Sequence, residues 1–267
     1  MKKLFAIICI LALLLCGCGK NEPAMEAPTE PQQQETTPPT EATEPPTEPV
    51  VEEPTEPTVE SFLHSGIRED GSFDEGTLFI GDSLTNGLLA QYVRPNGFLG
   101  DARYMAIPGA SPLAFFDGPA LGANTVLVSF NSWEFRDMIM SEAVASAGES
   151  VTAVYFMMGT NHQDSVTEQY YADIITYILE KCPNATIYMQ QVPYSLSSLV
   201  DQETINWRIW GAYNRFVESG ETRVRLIPTQ EAIELNVQED EVHLTEEGYR
   251  LWYEALVAYA QENGIPQ

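Results

Sequence analysis

Serine, histidine and aspartate together can open an ester, provided the fold brings them within hydrogen-bond reach. In this chain the serine of interest is Ser83, in "LFIGDSLTNG" (residues 78–87), where three apolar residues run directly into Gly-Asp-Ser. A serine hydroxyl is a weak nucleophile until a base takes its proton. The chain offers only three histidines, His64, His162 and His243. His243 lies in "QEDEVHLTEEGY", three residues after Asp240, a spacing at which a tight loop lets the carboxylate reach back to the ring. Glu239 and Glu241 flank Asp240 and compete for that role, as His162 competes for the base. The negative charge that builds on an attacked carbonyl oxygen needs fixed donors. Gly109 in "IPGAS" can bring a backbone N–H close to a ligand, and Asn161 in "GTNH" offers a side-chain amide. Ser83 also has a simpler reading, as the cap of the helix that follows it.

The elements around these residues alternate. Apolar strand candidates are "TLFI" (77–80), "ARYMAI" (102–107), "VTAVYFMM" (151–158), "ATIYMQQV" (185–192) and "RVRLI" (223–227). The unbroken apolar run of the third predicts burial on both faces. Between them lie helical patterns. One has an apolar face of Tyr170, Ile174, Tyr177 and Ile178, with Ser165 as its expected cap and Glu168 three residues later. Another covers "QETINWRIWGAYNRFVES". The last, "TEEGYRLWYEALVAYAQENG", should be capped by Thr245 and followed by Gly264. The segment 124–150 reads as a hairpin turned at Asn131-Ser132, then a short helix. Strands alternating with helices predict an open parallel sheet with helices on both faces, whose ligands bind beyond the carboxyl ends of the strands. "GDS", "PGAS", "GTNH" and "DEVH" all fall on that rim, and a helix after Ser83 adds a favourable amino-terminal dipole.

"FIGDSLTNG", "IPGAS", "MMGTNH" and "DEVHLTEEGY", in this order, resemble the four blocks of the GDSL (SGNH) hydrolases. The resemblance runs from about Leu78 to Tyr259. It implies a flavodoxin-like three-layer α/β/α sandwich with a central parallel sheet of about five strands, and ester cleavage through an acyl-serine. Residue by residue, it implies Ser83 as nucleophile, His243 as base and Asp240 as the acid that orients it. It also implies an oxyanion hole from the Ser83 N–H, the Gly109 N–H and the Asn161 side chain. Two positions depart from the pattern. Glu241 stands where glycine is common, and His162 stands where an acid is common. His162 and Asp82 are candidates to line the substrate pocket, although Asp82 also suits a structural role on local amides. The late part of the domain resembles exported GDSL-type proteins of Firmicutes. No GxSxG elbow and no metal-ligand spacing is present, and no cofactor is implied.

The rest of the chain speaks to location. Residues 1–17 carry two lysines and an apolar run from Leu4 to Leu15, short of the ~20 residues that a membrane span needs and consistent with a secretory signal. "LCGC" resembles a bacterial lipobox through Leu15, Gly17 and Cys18. The resemblance implies lipid on Cys18 and anchoring to a bilayer, on the outward side of the cell membrane. Residues 18–60 repeat "PTEP" at Pro28, Pro46 and Pro54 and have almost no apolar side chains, so they read as a solvated stalk. Residues 61–267 are long enough for one domain with its own core. With 39 acidic against 13 basic residues, the chain has a formal charge of −26, which argues against nucleic acid as a partner. Cys182 is the only cysteine of the domain, which excludes an internal disulfide; it reads as a buried helix-end residue. A monomer is expected. The expected substrate is an acylated glycan or another small ester, with O-acetyl groups on envelope glycans foremost. An acyltransferase, a lipase-type esterase and a catalytically silent binding protein remain alternatives at this stage.

Overall fold

The computed structural model describes residues 64–117, 129–130, 138–161, 165–193, 201–233 and 240–263. The signal, the stalk, Cys18, His162, the Asn131-Ser132 turn and Gly264 lie outside them. The strands are β1 (Thr77–Gly81), β2 (Arg103–Ala106), β3 (Ser129–Phe130), β4 (Ala153–Met157), β5 (Thr186–Gln190) and β6 (Val224–Ile227). They form one sheet in the order β3-β2-β1-β4-β5-β6. Every pairing is parallel except β2 with β3, where Met105 faces Phe130 across an antiparallel edge.

All five expected strands are present; β1 runs one residue past its apolar run, and the other four are slightly shorter than theirs. β1, β4 and β5 are buried at every position, as central parallel strands covered on both faces must be. The antiparallel β3 adds a sixth strand in the segment expected to form a hairpin, and α3 (Met140–Ala147) supplies the short helix expected there.

The order of the strands dictates where the helices go. From β1 the chain steps outward to β2. It then returns across β1 to β4 and continues to β5 and β6. Right-handed crossovers in opposite directions place their helices on opposite faces. The segment after β1, α1 (Ser83–Gly87) continued by a π-helical turn (Leu88–Val93), therefore lies on one face, with α7 (Glu246–Glu262) packed against it. On the other face α2 (Ala114–Asp117), α3, α4 (Glu168–Lys181) and α5 (Gln202–Glu218) pack in series, while the short α6 (Thr229–Ala232) touches α7. The result is a three-layer α/β/α sandwich of flavodoxin-like strand order.

Side chains alternate accordingly. Phe79, Tyr155 and Tyr188 are register partners on β1, β4 and β5, and their rings stack at 5.2 and 4.9 Å on the α7 side. Phe156, one residue on, meets Tyr171 of α4 on the other side. The hydroxyls of Tyr155 and Tyr188 donate to the carbonyls of Ser65 and His64, and the His64 N–H donates to Thr186 at the start of β5. His64 is thus held at the amino edge of the sheet, opposite the edge where Ser83 sits, which excludes it as the base.

Local capping departs from expectation once. α4 is capped by Thr167, whose hydroxyl accepts the Tyr170 N–H at 3.3 Å, and not by Ser165. Thr167 holds the extended backbone that a cap requires, directly before Glu168. Thr245 caps α7 as expected, accepting the Gly248 N–H at 3.2 Å. Cys182 ends α4, fully buried, and burial pushes its thiol up to about 11, so it is no nucleophile.

Candidate functional site

Ser83 is the first residue of α1, directly past the carboxyl end of β1. β1 and β4 are adjacent, and the chain leaves them in opposite directions. They form the topological switch point of the sheet, where a crevice opens. Asp82 caps α1: its Oδ1 accepts the Leu84 N–H at 3.0 Å. Its Oδ2 accepts the Thr160 hydroxyl at 2.8 Å and the Gly159 N–H at 3.4 Å, both from the loop after β4. Asp82 is 0% exposed, so it does not line a substrate pocket. Its carboxylate is occupied in joining the ends of the two central strands beneath the nucleophile. Burial pushes the Asp82 carboxyl up, against these donors and the Thr160 N–H.

The histidine that meets Ser83 comes from much further along the chain. His243 Nε2 lies 3.0 Å from Ser83 Oγ, and its Nδ1 lies 2.6 Å from Asp240 Oδ2. The other oxygen of Asp240 accepts the backbone N–H groups of His243 (2.9 Å) and Val242 (3.0 Å). The loop is tight enough for this because Glu241 sits between them at φ 63°, a left-handed conformation that glycine would adopt more easily. Desolvation pushes the Asp240 carboxyl up. The bonds from the His243 ring and from the His243 and Val242 backbone outweigh it and hold the carboxyl below its usual range. An ionised Asp240 fixes the proton on Nδ1 and leaves Nε2 free to accept the Ser83 proton.

α7 carries this loop to the serine through one close contact. Tyr249, in the first turn, presses its hydroxyl over Gly87 at the end of α1. Any Cβ there would lie 2.0 Å from that oxygen. Leu244, next to His243, is fully buried and anchors the loop from below.

Gly109 and Asn161 meet on the other side of Ser83. The Ala110 N–H donates to the Ile107 carbonyl at 3.0 Å, and Gly109 holds φ 78°. With Pro108 second and Gly109 third, this is a type II turn. The Ile107 N–H in turn donates to the Gly81 carbonyl at 3.0 Å, which docks the turn beside the end of β1. Asn161 Nδ2 donates to the Ala110 carbonyl at 3.0 Å and to Thr160 Oγ1 at 3.2 Å. Thr160 therefore links Asp82 to Asn161. It is a site residue that the sequence reading passed over, although it sits inside the quoted "GTNH". A hydroxyl next to an expected oxyanion donor was the available signal. Of the expected site residues, the structure brings Ser83, His243, Asp240, Asn161 and the Gly109 turn to one rim. It places Asp82 beneath them, while His162 lies outside the described residues.

No protein-family model matches the sequence, and no curated protein matches it. Among solved structures the chain is similar to a carbohydrate esterase family 3 protein from Talaromyces cellulolyticus, at 14% identity. That match covers 70% of this chain and 96% of the other, with a TM-score of 0.48. It is similar to a GDSL-like lipase from Bacteroides thetaiotaomicron at 15% identity, over 70% and 87% of the two chains, with a TM-score of 0.46. A lipolytic G-D-S-L family protein from Veillonella parvula is also similar at 15% identity, over 72% and 98%, with a TM-score of 0.45.

Proposed function

We propose that this protein is a serine esterase of the GDSL (SGNH) type, acting on short acyl groups, foremost O-acetyl groups on glycans. The observation that carries this reading is the unbroken relay from Ser83 Oγ through His243 to Asp240, at 3.0 and 2.6 Å. Ser83 Oγ attacks the ester carbonyl carbon while His243 Nε2 takes its proton. Asp240 stays ionised and stabilises the imidazolium. The oxyanion accepts from the N–H groups of Ser83 and Gly109 and from Asn161 Nδ2, whose longer bond to Thr160 is the one to be exchanged. Collapse expels the alcohol, which takes the proton from His243 and leaves acyl-Ser83. A water molecule then gives its proton to His243 and attacks the acyl carbon, and the acid leaves as Ser83 recovers its proton. Cys18 acylation and an outward-facing, bilayer-anchored domain on a stalk complete the proposal, on the strength of the lipobox resemblance and the stalk composition. An envelope location would put acylated glycans within reach.

The test is turnover of p-nitrophenyl acetate and butyrate by the protein and by Ser83→Ala. Acetate should be hydrolysed, and the mutant should lose roughly 10⁴-fold or more of that activity. A serine-directed phosphonate should label Ser83 in the parent only. A folded parent that neither turns over acetate nor takes the label would refute the proposal.

A further inference from the structure

α5 presents two faces with different demands. Ile205, Ile209 and Ala212 are buried against the sheet. On an outer face, one turn apart, Trp207 and Trp210 are 67% and 44% exposed, with rings stacked at 5.2 Å and 28°. Two exposed indoles side by side add little to the core, and contiguous exposed apolar surface marks a binding site. They line a cleft of about 430 Å³ together with Gln191, Glu203, Thr204 and Asn206.

The cleft belongs to the catalytic rim. Gln191 directly follows the carboxyl end of β5, which neighbours β4, which neighbours β1. The strand that leads into Gln191 is offset from β1, which leads into Ser83, by two strand spacings, ~10 Å. The wall between them is stiff. Asn206 clamps the Val192 backbone, accepting its N–H at 2.7 Å and donating to its carbonyl at 3.0 Å. Val192 packs so closely on Gly159 that an added Cβ would lie 2.9 Å from it, and the Gly159 N–H donates to Asp82.

The lining selects among ligands. A pyranose ring has a face of C–H groups and a rim of hydroxyls. The C–H face suits the electron-rich face of an indole, and the rim suits carboxamide, hydroxyl and carboxylate side chains. An acyl chain would need an apolar enclosed groove, and here Gln191, Glu203 and Thr204 stand at the edge. The base of a nucleotide would also stack, but Glu203 and the strongly acidic chain oppose the phosphate. We propose that the Trp207–Trp210 cleft is a binding subsite for a pyranose unit of the glycan whose ester is presented to Ser83. This rests on the esterase reading for its role in turnover, but not for the binding itself.

The full chain carrying Ser83→Ala, which cannot turn over an ester, should be titrated with β-1,4-xylohexaose and with N-acetylchitohexaose. Tryptophan fluorescence and calorimetry supply the readouts. Saturable binding of at least one oligosaccharide is expected, weakened at least 10-fold by Trp207→Ala or Trp210→Ala and less by Trp207→Phe. In the active chain, Trp207→Ala should raise KM for an acetylated xylo-oligosaccharide at least 10-fold, while p-nitrophenyl acetate turnover changes less than 2-fold. Which oligosaccharide binds distinguishes a plain from an amino-sugar chain. Absence of binding to both, or binding unchanged in the Trp207→Ala/Trp210→Ala double variant, overturns the subsite, and retained p-nitrophenyl acetate turnover would leave the esterase standing. Tryptophan-dependent binding without any ester turnover would uphold the subsite and defeat the esterase.

Discussion

Two carboxylates serve Ser83 from opposite sides, and they live in opposite surroundings. Asp82 is wholly buried under Ser83 and tied to donors from α1 and from the loop after β4. Asp240 stands beside it with half of its side chain exposed, gathered into a loop of its own making. The buried carboxyl is pushed up by desolvation, and the exposed one is held down by its bonds to His243 and Val242. The difference separates two tasks. In the proposed esterase Asp240 must remain charged to orient and support an imidazolium, which a wet, hydrogen-bonded site favours. Asp82 must fix geometry, which a dry site does best because each bond there is costly to break.

The contrast can be broken first at Asp240. Asp240→Asn should keep the fold but lose about 10²–10⁴-fold in kcat for p-nitrophenyl acetate, because the amide no longer enforces the useful tautomer or stabilises the imidazolium. A thermal midpoint within a few degrees of the parent would accompany that loss. Asp82→Ala should do the reverse in emphasis. It leaves the Thr160 hydroxyl and backbone N–H groups without their acceptor and costs about 3 kcal/mol. For a domain of this size that lowers the thermal midpoint by roughly 6–12 °C.

The smallest effect is also the most discriminating. Asp82 holds its proton to higher pH in the folded state than its ordinary value of 3.8, so its contribution to stability declines as pH rises from that value through the raised one. Asp240 has the opposite sign. Its contribution is present above 3.8 and is lost as pH falls through its lowered folded value. Urea midpoints measured between pH 2 and 7 should show this. The parent minus Asp82→Asn difference should fall with rising pH, and the parent minus Asp240→Asn difference should rise. Parallel slopes would mean that the two environments are not distinct.

The sequence revealed what is periodic or short-range. Five strands were legible because each is a brief apolar run, and Thr245 because it stands directly before the helix pattern it caps. Asp240 and His243 were legible because three residues separate them. Ser165 was mistaken for a cap because its spacing to Glu168 is as good on paper as that of Thr167 to its own partner. Backbone conformation, which spacing does not contain, decides for Thr167. Asp82 could be read as structural or as pocket wall, since its donors come together only when β1 and β4 are adjacent. The link through Thr160 to Asn161 was hidden for the same reason. Trp207 and Trp210 could be placed on a helix, but their exposure depends on which face α5 turns to the sheet.

Ser83 and His243 stand 160 positions apart in the chain, and the contact between them is made by the loop that leads into α7. Closing so long a loop has a high entropic cost that is recovered only once the intervening sheet exists. Ser83 is synthesised 160 residues ahead of the histidine it meets. The Ser83–His243 pair therefore exists only in the folded domain, where α7 is docked with Tyr249 over Gly87.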